Sequence, residues 1–600
     1  MTDFAGVPDA PQSSDLPLLS ALAADLAAAR YTVDGVADFL GESAAAALGR
    51  DQLVPALLRC RDEARQDAPA PVSVLIRLWL AGDDLDAAAL DGALPRTGTR
   101  SLLALGLLEP VPEAAGDDRR GGPAGLYRAA VDLRPYEIAG AADGDAGSAG
   151  SGRDDSAGTG LWVASDLGAH QRPGVLRHDH VLGIGQASLS LAQLTVRRSV
   201  DRALDLGAGC GIQAFHLLGH ARHVTATDIS ERALAFTRFN LLLNAGALDL
   251  DPQRLQDRVS LRLGSLLEPV AGEQFDLVVS NPPFVITPRR TGEVSEDRFT
   301  YRDGGLAGDA VVETLVRSLQ EVLVPGGTAQ MLGNWEIRRG GGEGQDGRGD
   351  RPAGGDVADT GARGTGTGTD IETGTHPGTG APGAAGWSAR IESWLAPETD
   401  AWVIQREVLE PAEYAEMWLR DAAENRDRAE YLASYAAYLA DFASRGVTAI
   451  GFGSLFLRRR TAPEAAPLRR FEEITHPLEQ PVGPHLGAAV GRFDWLAARP
   501  SLLAEHLEVA DDVTEERHAR PGAEHPGVIL LRQGAGLRRT NLMSTELTGF
   551  VSASDGELSV GQIIGALAAL LGRPDPDFPR DLEAEVRNLV LDGFLVPASR

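Results

Sequence analysis

From Leu18 to about Arg65, apolar residues recur every three or four positions, in ALAADLAAAR, VADFLGESAAAALGR and QLVPALLRCRDEAR. That period, with the high alanine content, predicts helices. The pattern changes after residue 160. Short runs of β-forming residues (LWVAS, ALDL, HVTAT, VSLRL, FDLVV, TAQML, WVIQREVL, VTAIGFGSLFL) are separated by helical stretches such as ERALAFTRFNLLLNAG. Strands alternating with helices predict an α/β fold around a buried sheet.

Composition divides the chain further. Residues 139–160, AGAADGDAGSAGSGRDDSAGTG, are expected to be a flexible linker, and the Gly/Thr/Asp-rich stretch 339–386 a disordered insertion. The expected domains are 1–138, helical and winged-helix-like; 161–460, the α/β domain; and 465–600, helical and winged-helix-like again. In the first, SVLIRLWLAG, LDAAAL and TGTRSLLALGLL read as helices, and EPV and GLYRAAVDLRPYEI as wing strands. Winged helices read nucleic acid or dock proteins; the third helix here offers only Arg96 and Arg100 as cations. In the last, Arg532, Arg538 and Arg539 form a cationic cluster expected to be salt-bridged.

The net charge is −29 and no lysine is present, so every fixed side-chain cation is an arginine and no catalytic lysine exists. The acidic balance argues against non-specific nucleic-acid binding. Cys60 and Cys210 are the only cysteines, which excludes a disulfide framework or cysteine metal site and fits a reducing cytoplasm. The first residues, MTDFAGVPDAPQSSDL, do not have the form of a signal peptide, and no apolar run is expected to span a membrane. His178 and His180, spaced i, i+2, lack a third partner, so they are read as solvated or hydrogen-bonded and no metal is expected.

The chemistry converges on Asn281-Pro282-Pro283-Phe284. The strand FDLVV stops there because proline lacks a ladder donor, and a residue before proline is held extended. Asn281 therefore sits on a stiff loop past the C-terminal edge of a buried strand, where open α/β sheets bind ligands. A side-chain amide, a fixed carbonyl and an aromatic ring together suit a flat group bearing an NH2. Upstream, Asp205-Leu206-Gly207-Ala208-Gly209-Cys210-Gly211 joins a strand to a helix, and its glycines let backbone amides approach a ligand. Asp228 ends the next strand, 21 residues after Gly207, a spacing that suits ribose hydroxyls. NAD is the competing cofactor, but the turn is not G-x-G-x-x-G.

The series resembles the class I S-adenosylmethionine-dependent methyltransferases, within them the Asn-Pro-Pro-Tyr/Phe group, over about residues 161–460. The resemblance implies a Rossmann-like seven-stranded domain, with VTAIGFGSLFLRRR as its antiparallel edge strand. Gly451 and Gly453 there suggest a bulge or close packing. It implies that Asp205, Gly207, Gly209, Gly211 and Asp228 bind S-adenosyl-L-methionine, with Ser265 and Asn281 also lining the cofactor. Ser265 stands where many members have an acidic residue. Asn281, the Pro282 carbonyl and Phe284 would hold the target nitrogen. Phe284 in place of tyrosine resembles ribosomal-RNA base methyltransferases, and with the flanks it leans toward RNA of the translation apparatus. Arg302-Asp303-Gly304-Gly305 through Asp309 resembles a segment of release-factor glutamine methyltransferases and points instead to a translation protein. A non-catalytic cofactor-binding scaffold is the third reading. Arg289, Arg290, Arg298 and Arg302 fall on the substrate side of the expected sheet.

Overall fold

The computed structural model describes residues 3–50, 52–65, 69–112, 125–139, 158–168, 171, 177–288, 306–339, 386–421, 428–462, 466–573 and 575–598. Most of the expected linker and insertion lies outside these residues, as do Arg289, Arg290, Arg298 and Arg302 through Gly305. Two compact units result: residues 1–337 with 390–475, and residues 338–389 with 476–600.

The first unit opens with helices α1 (Leu16–Ala28), α2 (Val33–Leu40), α3 (Glu42–Leu48) and α4 (Val54–Glu63). The stretch 16–40 is as apolar as a membrane span. It is broken at Arg30, whose φ is +53°, into helices of 13 and 8 residues, each short of the roughly 20 needed to cross a bilayer. Next come α5 (Pro71–Leu75), continued by a π-helical turn to Leu80, then β1 (Leu85–Asp86), α6 (Ala87–Ala93), α7 (Gly98–Ala104), β2 (Leu108–Pro110) and β3 (Leu126–Ala129). The three strands form an antiparallel sheet in the order β1-β3-β2.

The next two strands depart from expectation. β4 (Asp132–Ile138), expected in the wing, pairs with β5 (Thr159–Ser165), expected in the α/β domain, as a separate antiparallel ribbon from Asp132↔Ser165 to Ile138↔Thr159. Apolar residues of both strands, Leu133 and Val163, join one buried cluster that runs from Leu22 and Trp79 to Phe215 and Phe236. The helical N-terminal part and the α/β domain therefore share a core across the expected linker.

The large sheet follows, with α8 (Gln186–Leu194) before it. Its strands are β6 (Val200–Leu206), β7 (Ala221–Asp228), β8 (Val259–Leu263), β9 (Phe275–Ser280), β10 (Leu323–Arg338), β11 (Thr399–Leu409), β12 (Val447–Arg459) and β13 (Arg469–Glu473). Between them lie α9 (Ile212–Leu218), α10 (Glu231–Leu243), α11 (Ala310–Ser318), α12 (Ala389–Glu392), α13 (Pro411–Asp421) and α14 (Arg428–Ser444). The strand order is β13-β11-β12-β10-β9-β6-β7-β8, parallel from β10 through β8. The sheet thus has eight strands, not seven. β12, expected at the edge, is interior, and β13, assigned from sequence to the C-terminal region, forms the edge. The physical reason is burial: Leu455, Phe456 and Leu457 of β12 are covered, and ten cross-strand partners tie it to β11. Gly451 and Gly453 do serve close packing. A Cβ on Gly451 would lie 2.3 Å from both Gln405 Oε1 and Trp335 Nε1, and β11 bulges between Gln405 and Glu407.

The second unit contains α15 (Gly483–Ala497), β14 (His506–Val509), β15 (Val513–His518), β16 (Val528–Gln533), β17 (Thr540–Leu542), α16 (Thr545–Ser552), β18 (Asp555–Ser559), α17 (Val560–Leu570), α18 (Phe578–Asp592) and β19 (Leu595–Pro597). Two small sheets, β15-β16-β17 and β18-β14-β19, pack around Leu502, Phe550, Val586 and Phe594. Arg532 pairs with Glu516 at 2.9 Å and Arg539 with Asp592 at 3.8 Å, so two of the three cluster arginines are salt-bridged as expected, while Arg538 has no ion pair among the described residues.

Candidate active site

Three parallel strands end side by side and place the predicted residues together. β6 delivers the glycine turn, β7 delivers Asp228 and β9 delivers Asn281. Gly207, Gly209 and Gly211 have φ of +80°, +57° and +94°, a left-handed backbone that costs other residues roughly 1–2 kcal/mol each. The turn is tied down from one side. Gly207 and Ala208 N–H donate to Thr227 O, both at 2.9 Å, and Gly209 N–H donates to Asp228 Oδ2 at 3.0 Å. The other Asp228 oxygen accepts from Ser230 N at 2.9 Å. Burial raises the Asp228 pKa, against the pull of those backbone donors. A Cβ built on Gly209 meets nothing within 4 Å, and one on Gly207 meets only the Asn281 carbonyl, at 4.0 Å. The turn therefore presents open space bounded by backbone.

Asn281 follows Ser280, which pairs with Leu206 and whose hydroxyl donates to Leu206 O at 2.8 Å. The Asn281 Oδ1 atom is buried and has no hydrogen-bond partner among the described residues. Pro282 is buried and Phe284 half-buried. Ser265 is half-buried just past β8; its neighbour Gly264 donates to Asp228 O at 2.9 Å, which places Ser265 beside Asp228. Asp205 differs from the rest. It is wholly buried, its Oδ2 accepts from Ala214 N at 2.9 Å in the first turn of α9, and its Oδ1 has no partner among the described residues. Burial, with the nearby Asp228 charge, pushes its pKa up to about 7.

Several contributors escaped the sequence reading. Thr237 and Asn240 of α10 fix two successive carbonyls of the turn: Thr237 Oγ1 donates to Gly209 O and Asn240 Nδ2 to Cys210 O, both at 2.9 Å. Asn240 and Asn244 also pair with the backbone of β5, at Ala164 and Trp162. Polar residues at 237, 240 and 244 on one face of a buried helix were the available signal. Ile229, directly after Asp228, is 60% exposed and presents an apolar surface there.

Other sequence candidates are engaged elsewhere. Asp309 is buried, held by Arg390 Nη2 at 2.6 Å and Arg390 Nε at 2.7 Å, and it accepts from Glu336 N at 3.0 Å. His180 is buried 3.7 Å from Asp166, which pairs with Arg232 at 2.7 Å, and burial lowers its pKa. Among the described residues no group of three metal-ligating side chains occurs. Arg96, expected on the third helix, lies instead in the turn before α7 and pairs with the buried Asp25 at 2.9 Å, so Arg100 is the one cation that α7 carries.

Residues 166–338 match the methyltransferase small domain, and residues 28–118 match a domain of unknown function, DUF7059. The ribosomal protein uL3 glutamine methyltransferase of Bradyrhizobium diazoefficiens is 31% identical over 26% of this chain and 46% of its own length. The release factor glutamine methyltransferase of Koribacter versatilis is 34% identical over 24% of this chain and 48% of its own. The chain thus spans about half the length of these relatives. A methyltransferase structure from Pyrococcus furiosus aligns at 21% identity over 27% of this chain and 72% of its own, with a TM-score of 0.19. The chain resembles the class I S-adenosylmethionine-dependent methyltransferases, release-factor glutamine methyltransferases among them. Its central domain is an enzyme's, and the family match supports S-adenosylmethionine as the cofactor.

Proposed function

We propose that this chain methylates the side-chain amide nitrogen of a glutamine in a protein of the translation apparatus. The observation that carries the reading is Asn281 Oδ1, a buried acceptor without a partner beside the glycine turn. An unpaired buried acceptor costs about 1–3 kcal/mol, and an incoming N–H removes that cost.

The residues fit S-adenosylmethionine. The open glycine turn leaves room for its methionine part, Asp228 stands where two ribose hydroxyls would donate, and Ser265 and Ile229 flank that position. The bound cofactor supplies an activated sulfonium methyl group. The chain's own task is then to orient and dehydrate the acceptor. An amide nitrogen shares its lone pair with its carbonyl. Asn281 Oδ1 and the Pro282 carbonyl accept the two N–H hydrogens and favour the pyramidal nitrogen that attacks in line. Phe284 stacks on the flat amide. No general base is required, because the proton leaves after transfer.

The sequence leaned toward an RNA base. The names of the relatives support the glutamine alternative, as does the net charge of −29. In this reading the flanking regions, the N-terminal part through β3 and residues 476–600, are winged-helix-like modules that select a protein in the cytoplasm. The helix-strand-helix-helix-strand-strand order of residues 71–129 supports that for the first.

The test incubates purified protein with methyl-labelled S-adenosylmethionine and a lysate from cells lacking it. Nuclease-resistant label in a protein, mapped by mass spectrometry to a glutamine side chain, is the expected result. Label in RNA would replace this reading with the base-methylating one. No transfer, with cofactor bound, would leave only a scaffold.

A further inference from the structure

We infer that Tyr414 is a positioning residue for the Asn281–Phe284 loop, which makes the α13–α14 hairpin part of the transfer site. The hairpin lies outside the matched methyltransferase span. The inference deepens the proposed function and rests on its reading of this loop as the holder of the acceptor nitrogen.

Neither Pro282 nor Pro283 has an N–H with which to anchor the loop. The anchor comes three residues on. Ile286 is 1% exposed, and its N–H donates to Tyr414 Oη at 2.8 Å. The same oxygen accepts from Asn334 Nδ2 at 2.9 Å. Asn334 lies three residues beyond Met331, the β10 partner of Ser280. One phenol oxygen therefore joins the loop that follows β9 to the extension of β10. The loop is bounded at its entry by the Ser280–Leu206 contact and at its exit by Tyr414.

The phenol itself is held firmly. Tyr414 is fully buried, with Phe442 edge-on at 5.5 Å, Phe452 at 5.6 Å and Trp418 at 6.1 Å between ring centroids. Ile286 shares that cluster with Leu419, Tyr438 and Val447 of the hairpin and the following strand. A ring so enclosed cannot swing, so it sets where Ile286 sits and hence how far the Pro282 carbonyl can stray. Methyl transfer depends on that placement, since a misplacement of about 1 Å costs on the order of 100-fold in rate.

The experiment compares Tyr414→Phe, which removes only the shared oxygen, with Leu457→Ala. Leu457 is 1% exposed near the far end of β12, and its loss lowers stability without touching the loop. Three quantities are measured: hydrogen exchange over residues 281–288, affinity for S-adenosylhomocysteine by calorimetry, and total methyl transfer to lysate macromolecules. For Tyr414→Phe the expected result is exchange at Ile286 faster by at least about tenfold, cofactor affinity within about twofold, and transfer reduced about 30- to 100-fold. Leu457→Ala should melt earlier but keep its exchange at Ile286 and its transfer rate. Unchanged exchange or unchanged transfer in Tyr414→Phe would overturn the inference. So would an equal loss of transfer in Leu457→Ala. If the wild type labels RNA rather than protein, the glutamine reading fails, yet the Tyr414→Phe ratio on that acceptor still decides the inference.

Discussion

The Gly209 N–H donates to Asp228 Oδ2 at 3.0 Å, so the carboxylate that ends β7 also closes the glycine turn that follows β6. Asp228 therefore has two duties, toward the cofactor and toward the turn. Asp228→Ala should strand the Gly209 and Ser230 amides and lower stability by about 1–2 kcal/mol. It should also weaken S-adenosylhomocysteine binding by about 30-fold or more, because charge-assisted hydrogen bonds to a ribose are lost. Thermal melts and calorimetry on the same preparation measure both effects.

Asn281→Ala should behave in the opposite way. The native Oδ1 has no partner, so its removal should cost no stability and should leave cofactor affinity within about threefold. Methyl transfer should fall by about 100-fold or more, since one of the two groups that fix the acceptor nitrogen is gone. A variant that melts normally, binds cofactor and still transfers at the wild-type rate would remove Asn281 from the mechanism.

Asp205 makes stability depend on pH. Its folded pKa of about 7 lies above the unfolded carboxylate value of about 3.9, so the native state holds one more proton between those limits. Stability from this group is complete below the unfolded value and declines as pH rises to about 7. Asp205→Asn keeps an acceptor for Ala214 N but carries no charge. From pH 5 to pH 8 the wild type should therefore lose roughly 2–3 kcal/mol relative to this variant, as read from denaturant unfolding at each pH.

Asn240 and Asn244 should separate by function. Four residues on a helix rise about 6 Å, close to the roughly 6.7 Å between alternate residues of a strand, so the two side chains match the spacing of Ala164 and Trp162 along β5. Asn244→Ala leaves the Trp162 N–H and carbonyl unpaired and should cost about 1–3 kcal/mol with cofactor affinity unchanged. Asn240→Ala should cost at least as much and also weaken S-adenosylhomocysteine binding several-fold, because Cys210 O in the turn is released. Melting curves and titrations of the two variants side by side distinguish these outcomes.

What the sequence determined by itself was local. Glycines at 207, 209 and 211 announce positive φ because side chains resist it, the two prolines end β9 because they lack donors, and Asp228 follows from the spacing of consecutive βα units. Tertiary structure alone decided matters of partnership. β12 reads as an edge strand until its burial between β10 and β11 is seen, and β4 leaves its expected wing because β5 lies within reach to pair with it. Asp309, which closes the segment resembling release-factor glutamine methyltransferases, is buried in an ion pair with Arg390, 81 residues away. Tyr414 reaches Ile286 across 128 residues. No local pattern encodes such contacts, because a hydrogen bond or a buried charge selects its partner by proximity in the folded chain, and that proximity is a property of the whole core.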